Sequence, residues 1–240
     1  MGLIFYKKEK ITYSYNGKKM KRSILYLNNI QLNINQIHKL RGYIGRIFKD
    51  HDIVHNHDLK TGKLIYRYPL IQFKLIENVP AIIALTDQGI DIFNEIFMKL
   101  DKVLIEDISL KIFEKNLSID NVQYGFSNES IIYNFDSPWI GLNQKNYKQY
   151  IKEKNLAKKE NILKKAIVGN ILSMSKSLGY WLEKDQLINA ELQVNTKKVI
   201  LKSKVLMGFV GFFKTNFIIP DFIGIGKSVS RGYGTVRRVA

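Results

Sequence analysis

Alternation of apolar and polar residues predicts most of the strands in this chain. The alternating stretches lie at residues 23–30, 64–76, 122–135, 187–201 and 204–217, and a short apolar run lies at 79–85. Apolar residues at every second position place one face of a strand on a core. Pro69 suggests an edge or a bulge for the second stretch. Residues 102–115 have strand character as well, and residues 234–239 can close a sheet.

Three segments show helical spacing instead. Apolar residues recur every three or four positions from Leu40 to Phe48, after Asn33 or Asn35 as a helix cap, and again after Asp87. A long, Lys-rich helical stretch begins at Asn143. The order β-α-β-β-α-β is clear once and then recurs more loosely a second time, which is the ferredoxin-like arrangement. The predicted fold class is therefore α+β, with two tandem ferredoxin-like domains at residues 1–118 and 119–240.

Composition excludes several classes of protein. The chain has 240 residues, of which 45% are hydrophobic, so we expect a globular protein and not a disordered one. It has no cysteine, which excludes disulfides, thiolate metal sites, iron–sulfur clusters and cysteine nucleophiles. The first apolar run is too short for a secretory signal, and the most apolar stretch, 205–226, contains Lys214 and Asp221. We expect a soluble, cytoplasmic protein with no membrane partner.

The charge balance points to an anionic partner. Lys and Arg number 38 against 21 Asp and Glu, which gives a net charge of +17. Such an excess is the electrostatic footprint of nucleic-acid binding. A genomic bias towards Lys explains the choice of Lys over Arg better than it explains the excess over acids. The basic residues form three clusters, at 18–22, at 145–165 and after Asp221.

The C-terminal cluster contains the sharpest motif, at residues 224–234. Two Gly-x-Gly pairs flank five residues that include a Lys, two Ser and an Arg. Glycines let a backbone approach a phosphate closely, and the N–H groups, hydroxyls and cations supply donors. A Rossmann fingerprint needs a following helix and α/β region, and a P-loop needs an earlier glycine, so neither fits. The alternative is a glycine hairpin that only turns the chain.

The four histidines lie close together in the sequence, at His38, His51, His55 and His57. In an extended chain His55 and His57 point to the same face. Two imidazoles can supply a base and an acid at neutral pH, and RNA cleavage by 2′-hydroxyl attack needs both. Two alternatives remain open: a metal site built from His51, His55, His57 and Asp58, and a solvated polar turn.

These motifs together resemble a known family. The glycine motif, continued through Thr235-Val236-Arg237-Arg238, is similar to the C-terminal motif of the repeat-associated mysterious protein (RAMP) superfamily. Residues 40–49, followed by His55-Asn56-His57 and by residues 66–72, are similar to a histidine-pair subtype of the CRISPR-associated repeat-processing endoribonucleases in that superfamily.

The resemblance implies two ferredoxin-like folds and metal-independent cleavage of CRISPR precursor RNA within its repeats, leaving 5′-hydroxyl and 2′,3′-cyclic phosphate ends. It implies no cofactor and no metal. The implied catalytic residues are His55 and His57, with Tyr66 and Lys49 as looser matches. The implied RNA-binding residues are Gly224, Gly226, Lys227, Ser228, Ser230, Arg231, Gly232, Gly234, Arg237 and Arg238.

The expected partner is CRISPR repeat RNA, and a CRISPR effector complex and a second copy of the chain are further candidates. The main alternative function is a non-catalytic RNA-binding subunit of an effector complex, against which the histidine pair argues. A peripheral membrane or acidic-protein binder that uses the Lys-rich helix ranks last, because that helix carries acids and few aromatic anchors.

Overall fold

The computed structural model describes residues 15–48 and 67–239 of the chain. The strands are β1 (Tyr15–Leu27), β2 (Ile71–Ile76), β3 (Val79–Leu85), β4 (Lys102–Ile105), β5 (Ile108–Lys111), β6 (Lys115–Phe135), β7 (Ala190–Leu201), β8 (Lys204–Ile218) and β9 (Val236–Arg238). The helices are α1 (Ile37–Ile47), α2 (Thr86–Lys99), α3 (Gln144–Lys152) and α4 (Leu156–Ser177), with a 3₁₀ helix at Val229–Arg231. Among the helices of these described residues, none has both the length and the apolar character of a membrane-spanning segment.

One long strand, β6, organises the main sheet. Seven strands form this antiparallel sheet in the order β2-β3-β1-β6-β8-β7, with β9 also paired to β6. The first half of β6 pairs with β1, and the second half pairs with β8 and β9. The sheet therefore contains two overlapping sets of four strands, β6-β1-β3-β2 and β9-β6-β8-β7. Each has the strand order of a ferredoxin-like unit, which confirms the predicted fold class.

Because β6 serves both units, the chain passes from one to the other inside a strand. The predicted division between residues 118 and 119 lies within β6, and the two-domain boundary stays a prediction. The expectation that residues 102–115 continue the first sheet is wrong for residues 102–111. They form a separate hairpin, β4–β5, closed at Glu106 and Asp107, both of which have positive φ. The first half of β6 takes the place of the fourth strand.

The helices cover different faces of the sheet. Neighbouring residues Ile24 and Leu25 of β1 belong to two different cores, because successive side chains of a strand point to opposite faces. The core that contains Leu25 is closed by α1 and α2. The core that contains Ile24 includes residues of α4 and of the chain after β8. As predicted, Asn143 begins the Lys-rich helical stretch, and its side chain accepts the N–H of Asn146 at 2.8 Å.

The second ferredoxin-like unit lacks its second helix. Between β8 and β9 the chain runs through residues 219–235, with only the short 3₁₀ helix at Val229–Arg231. This segment contains the glycine motif, so the motif replaces a helix and packs directly on the sheet. The apolar side chains of Ile223, Ile225 and Val229 in this segment are buried.

Arg22 joins three parts of the fold. It faces Asp120 in the β1–β6 register and donates to both carboxylate oxygens, at 3.0 and 2.5 Å. It also donates to the carbonyl of Asp221, at 2.5 Å, just before the glycine motif. Although the sequence places Arg22 in a basic cluster, its side chain is largely buried in this network. Arg22 therefore links β1 and β6 to the segment just before the glycine motif.

We predict that Asp120→Asn destabilises the protein by about 1–3 kcal/mol, because it leaves a largely buried guanidinium without its charged partner. Asp87→Asn is the matched control, since the Lys21–Asp87 pair is exposed on both sides, and it should cause a markedly smaller loss. Urea unfolding measures both variants. Equal losses would contradict the assignment of Arg22 as a structural tie.

Candidate functional site

The glycine motif is held in place by its apolar residues. Val229 and Tyr233 are buried, Lys227 is exposed, and Ser230 and Arg231 are half-buried. The loop closes on itself where the Ile225 N–H donates to the Gly234 carbonyl at 2.9 Å. The motif is thus a pinned loop, with its Lys, Ser and Arg side chains towards the surface.

Two of the glycines are required by protein contacts. At Gly226, where φ is +90°, a Cβ would lie 2.7 Å from Trp139 Nε1 and 2.9 Å from the Ile140 carbonyl. At Gly232, where φ is +96°, a Cβ would lie 3.1 Å from side-chain carbons of Ile34 and Ile37. Positive φ disfavours any residue with a Cβ. These two glycines therefore let the loop pack against the protein, whatever ligand the loop binds.

Polar side chains before and within β2 contact the backbone of this loop. The Tyr68 hydroxyl donates to the Gly224 carbonyl at 2.6 Å, and the Gly224 N–H donates to Gln72 Oε1 at 3.0 Å. Lys74 Nζ donates to the carbonyls of Val229 and Tyr233 at 3.1 and 3.2 Å. The loop thus joins the two halves of the chain through hydrogen bonds to main-chain atoms.

Burial lowers the pKa of Lys74 to about 7. Its side chain is fully buried, and an ammonium in such a place loses its hydration. Burial also raises the pKa of the Tyr68 hydroxyl, which is therefore a hydrogen-bond donor at any physiological pH.

A cationic cluster lies beside the loop. It is formed by Arg231 of the 3₁₀ helix, Arg41 of α1 and Lys202 of the β7–β8 turn. The charge of Arg231, then burial, then the charge of Arg41 lower the pKa of Lys202. Burial and the charge of Arg231 lower the pKa of Arg41 to about 10. Three separate parts of the chain therefore bring like charges together, an arrangement that favours an anionic ligand.

Two cavities adjoin this cluster, of about 370 and 430 Å³, and both are lined by His38, Lys39, Glu106 and Lys202. Burial lowers the pKa of His38, and the charges of Lys39, Lys202 and Arg231 lower it further. Glu106 pairs with Lys39. Lys202 is the member of the cluster that lines both cavities, which give a ligand room beside it.

The other predicted RNA-binding arginines lie on β9. Arg237 is paired with Glu77 at 3.2 Å and with Asp136 at 3.1 Å. The backbone N–H of Arg238 donates to Asp221 at 2.6 Å, and its side chain is exposed. The structure therefore brings Arg231 into the cationic cluster and places Arg237 in an ion-pair network with two carboxylates.

The predicted catalytic residues His55, His57, Tyr66 and Lys49 lie outside the described residues, as do His51 and Asp58 of the alternative metal site. Within residues 17–48 and 67–239, no group of three or more His, Cys, Asp and Glu side chains is arranged to hold a metal ion.

Sequence reasoning did not single out Gln72 and Lys74 as contacts of the glycine loop. Their signal is visible in β2, where Phe73 and Leu75 alternate with two polar residues on the opposite face. Two polar residues at alternate positions of a strand that lies between two cores indicate a polar partner on that face. Arg41 and Lys202 carry no such local signal, because they meet only in the folded chain.

The fold and the loop together define a class of protein. Two ferredoxin-like units are the fold that the resemblance to the RAMP superfamily implies. A family model of the Cas6b N-terminal domain matches residues 18–123, and one of the Cas6b C-terminal domain matches residues 125–239. The chain belongs to the Cas6b family.

Two solved structures named Cas6b and one curated protein are similar to the chain. A crystal structure of Cas6b has a TM-score of 0.86 and 36% identity, covering 92% of this chain and 100% of that one. A crystal structure of the CRISPR RNA processing endoribonuclease Cas6b has a TM-score of 0.75 and 33% identity, with the same coverage. An uncharacterized protein of Methanocaldococcus jannaschii is 45% identical over 117 residues, which are 49% of this chain and 78% of that protein.

We predict that Gly226→Ala and Gly232→Ala each lower the melting temperature and reduce the free energy of unfolding by about 1–3 kcal/mol. At both positions the backbone has positive φ and an added Cβ would be crowded by neighbouring atoms. Gly169→Ala is the control. Gly169 lies inside α4, and no neighbouring atom lies within 4 Å of the position that a Cβ would take there, so alanine should stabilise by about 0.5–1 kcal/mol. A normal melting temperature in both loop variants would contradict the packing role.

We predict that Lys74 makes stability depend on pH. Its pKa is about 7 in the folded protein and about 10.4 in an unfolded chain. Between these values the unfolded chain holds one more proton, so stability rises with pH. Urea unfolding between pH 7 and 9 should show the wild type gaining up to about 1.4 kcal/mol per pH unit relative to Lys74→Met. If the free energy of unfolding changed with pH equally in the wild type and in Lys74→Met, the lowered pKa of Lys74 would be contradicted.

Proposed function

We propose that this protein is a CRISPR RNA processing endoribonuclease that cuts precursor RNA within its repeats. The observation that carries the proposal is the match of both Cas6b domain models, which together span nearly the whole described chain. The crystal structure named as a CRISPR RNA processing endoribonuclease, Cas6b, is 33% identical to this chain and covers 92% of it.

The charge of the site supports RNA as the substrate. The cluster of Arg231, Arg41 and Lys202 suits a phosphate, because like charges that lower one another's pKa favour a bound anion. Lys227 is exposed on the same loop. A net charge of +17 adds long-range attraction to a polyanion. We assign the side chains of the predicted loop residues Lys227, Ser228, Ser230 and Arg231, with Arg237 and Arg238 beyond them, to the RNA-binding surface. The predicted glycines Gly224, Gly226, Gly232 and Gly234 shape the backbone that presents those side chains.

We assign the cutting step to His55 and His57, with Tyr66 and Lys49 beside them. One imidazole removes the proton of the 2′-hydroxyl, and the 2′ oxygen then attacks the adjacent phosphorus. The bond from phosphorus to the 5′ oxygen breaks, and the other imidazole, as imidazolium, protonates that oxygen. The products are a 2′,3′-cyclic phosphate and a 5′-hydroxyl. No metal or cofactor enters this scheme.

The proposal includes the partners and the cellular location of the protein. Repeat RNA is the main partner, and a CRISPR effector complex and a homodimer are further candidates. The proposed location is the cytoplasm.

The test is cleavage of repeat RNA by the purified chain in the presence of EDTA. We predict cutting by the wild type, and a loss of about 10²–10⁴-fold in rate for His55→Ala or His57→Ala with RNA affinity retained. RNA with a 2′-deoxy group at the cut site is the matched control, and it should bind but stay intact.

Each result separates the competing functions. Loss of activity in EDTA, or cutting of the deoxy substrate, would overturn the metal-independent mechanism. Unchanged rates in both single histidine variants would overturn the residue assignment. Tight binding with no cutting by the wild type would favour the non-catalytic RNA-binding subunit.

A further inference from the structure

Lys74 occupies a position where an apolar residue is the ordinary choice. It lies in the middle of β2, and its neighbours Phe73 and Leu75 pack in the core beneath α1 and α2. Its own side chain points to the opposite face and is completely buried. Burying an amine is costly unless it is hydrogen-bonded, so core packing alone does not account for a lysine here.

The contacts of Lys74 are two carbonyls of the glycine loop. Val229 and Tyr233 accept from its Nζ at 3.1 and 3.2 Å. In the sequence these two residues flank Ser230, Arg231 and Gly232. Both the ammonium and the neutral amine have enough N–H bonds for two donations. Lys74 therefore holds the segment that carries Arg231 at both of its ends.

These two hydrogen bonds oppose a repulsion between the loop and two other parts of the chain. Arg231 lies near enough to Arg41 and Lys202 for its charge to lower the pKa of each. Like charges in the unliganded protein push Arg231 away from the other two. Because Lys74 binds main-chain atoms only, it resists this displacement and leaves the Arg231 guanidinium available to a ligand.

We propose that Lys74 is a positioning residue for RNA binding, which keeps Arg231 beside Arg41 and Lys202 as a preformed site for an RNA phosphate. The inference rests on the proposed function, because it takes repeat RNA as the ligand. Tyr68 assists, since its hydroxyl anchors the start of the same loop at Gly224. Preorganisation of this kind raises affinity by removing the cost of ordering the site at the moment of binding.

A matched control for Lys74 exists elsewhere in the fold. Lys115 Nζ donates to the carbonyls of Phe97 and Leu100 at 3.1 and 3.2 Å, at the end of α2. Its two hydrogen-bond distances repeat those of Lys74, although its side chain is only half-buried. Its carbonyls belong to a helix end and not to the glycine loop. Lys74→Met and Lys115→Met remove the same type of interaction at two different places.

The experiment measures the Kd of repeat RNA for each variant over a range of salt concentrations, at a temperature where circular dichroism shows each to be folded. Lys74→Met should weaken binding about tenfold. It should also lower the slope of log Kd against log salt by the amount that about one phosphate contact contributes. Lys115→Met should keep the wild-type Kd and salt dependence, even if its melting temperature falls.

A double-mutant cycle tests whether Lys74 acts through Arg231. Arg231→Ala should cost less affinity in the Lys74→Met background than in the wild type, because the arginine there is already displaced. Additive losses would overturn the proposal.

Other outcomes are equally decisive. Wild-type affinity and salt dependence in Lys74→Met would overturn the positioning role and leave the proposed function intact. Failure of the wild type to bind repeat RNA would overturn both. If Lys74→Met does not fold, Tyr68→Phe replaces it in the experiment. This variant removes the hydrogen bond from the Tyr68 hydroxyl to the Gly224 carbonyl and keeps the aromatic ring. It should weaken binding about threefold, and unchanged binding would overturn the proposal.

Discussion

The docking of the glycine loop on β2 is the interaction on which the rest of the structure depends. The second ferredoxin-like unit has a loop in place of a helix, so its buried carbonyls and N–H groups lack helical partners. Gln72 and Lys74 supply those partners from the other half of the chain. Without them the loop would have to expose its backbone to water, and its buried residues Val229 and Tyr233 would leave the core.

The shared strand explains why this docking joins two distant parts of the sequence. Because β6 completes the first unit and begins the second, both units are parts of one sheet. Arg22 reinforces the junction, since it binds Asp120 on β6 and the carbonyl of Asp221 ahead of the loop. The glycine loop is consequently fixed to the first unit at both its entrance and its centre.

This fixed geometry determines the electrostatics of the site. Arg231 comes from the loop, Arg41 from α1 and Lys202 from the β7–β8 turn, and their mutual repulsion is part of the cost of the unliganded fold. An anion placed among these cations would offset that repulsion. The same charges that cost stability in the free protein therefore suit an anionic ligand, in agreement with the RNA-binding role proposed above.

Local sequence patterns determined much of the fold. The apolar run at 79–85 coincides with β3, the helix expected after Asp87 is α2, and Asn143 caps α3. These features depend on neighbours within a few residues, which is why periodicity and capping predict them. The glycine motif and the basic excess likewise indicated, from the sequence alone, an anion-binding C-terminal loop.

Only the tertiary structure decided which residues share the site. It separated β4 and β5 from the main sheet, made β6 common to both units, and paired Arg237 with two carboxylates. It brought Lys74 to carbonyls more than 150 positions away in the chain. It also gathered Arg41, Lys202 and Arg231 from three regions. Contacts between residues so far apart in the sequence follow from strand order and core packing, which the chain as a whole determines. They therefore produce no periodic pattern within any one segment.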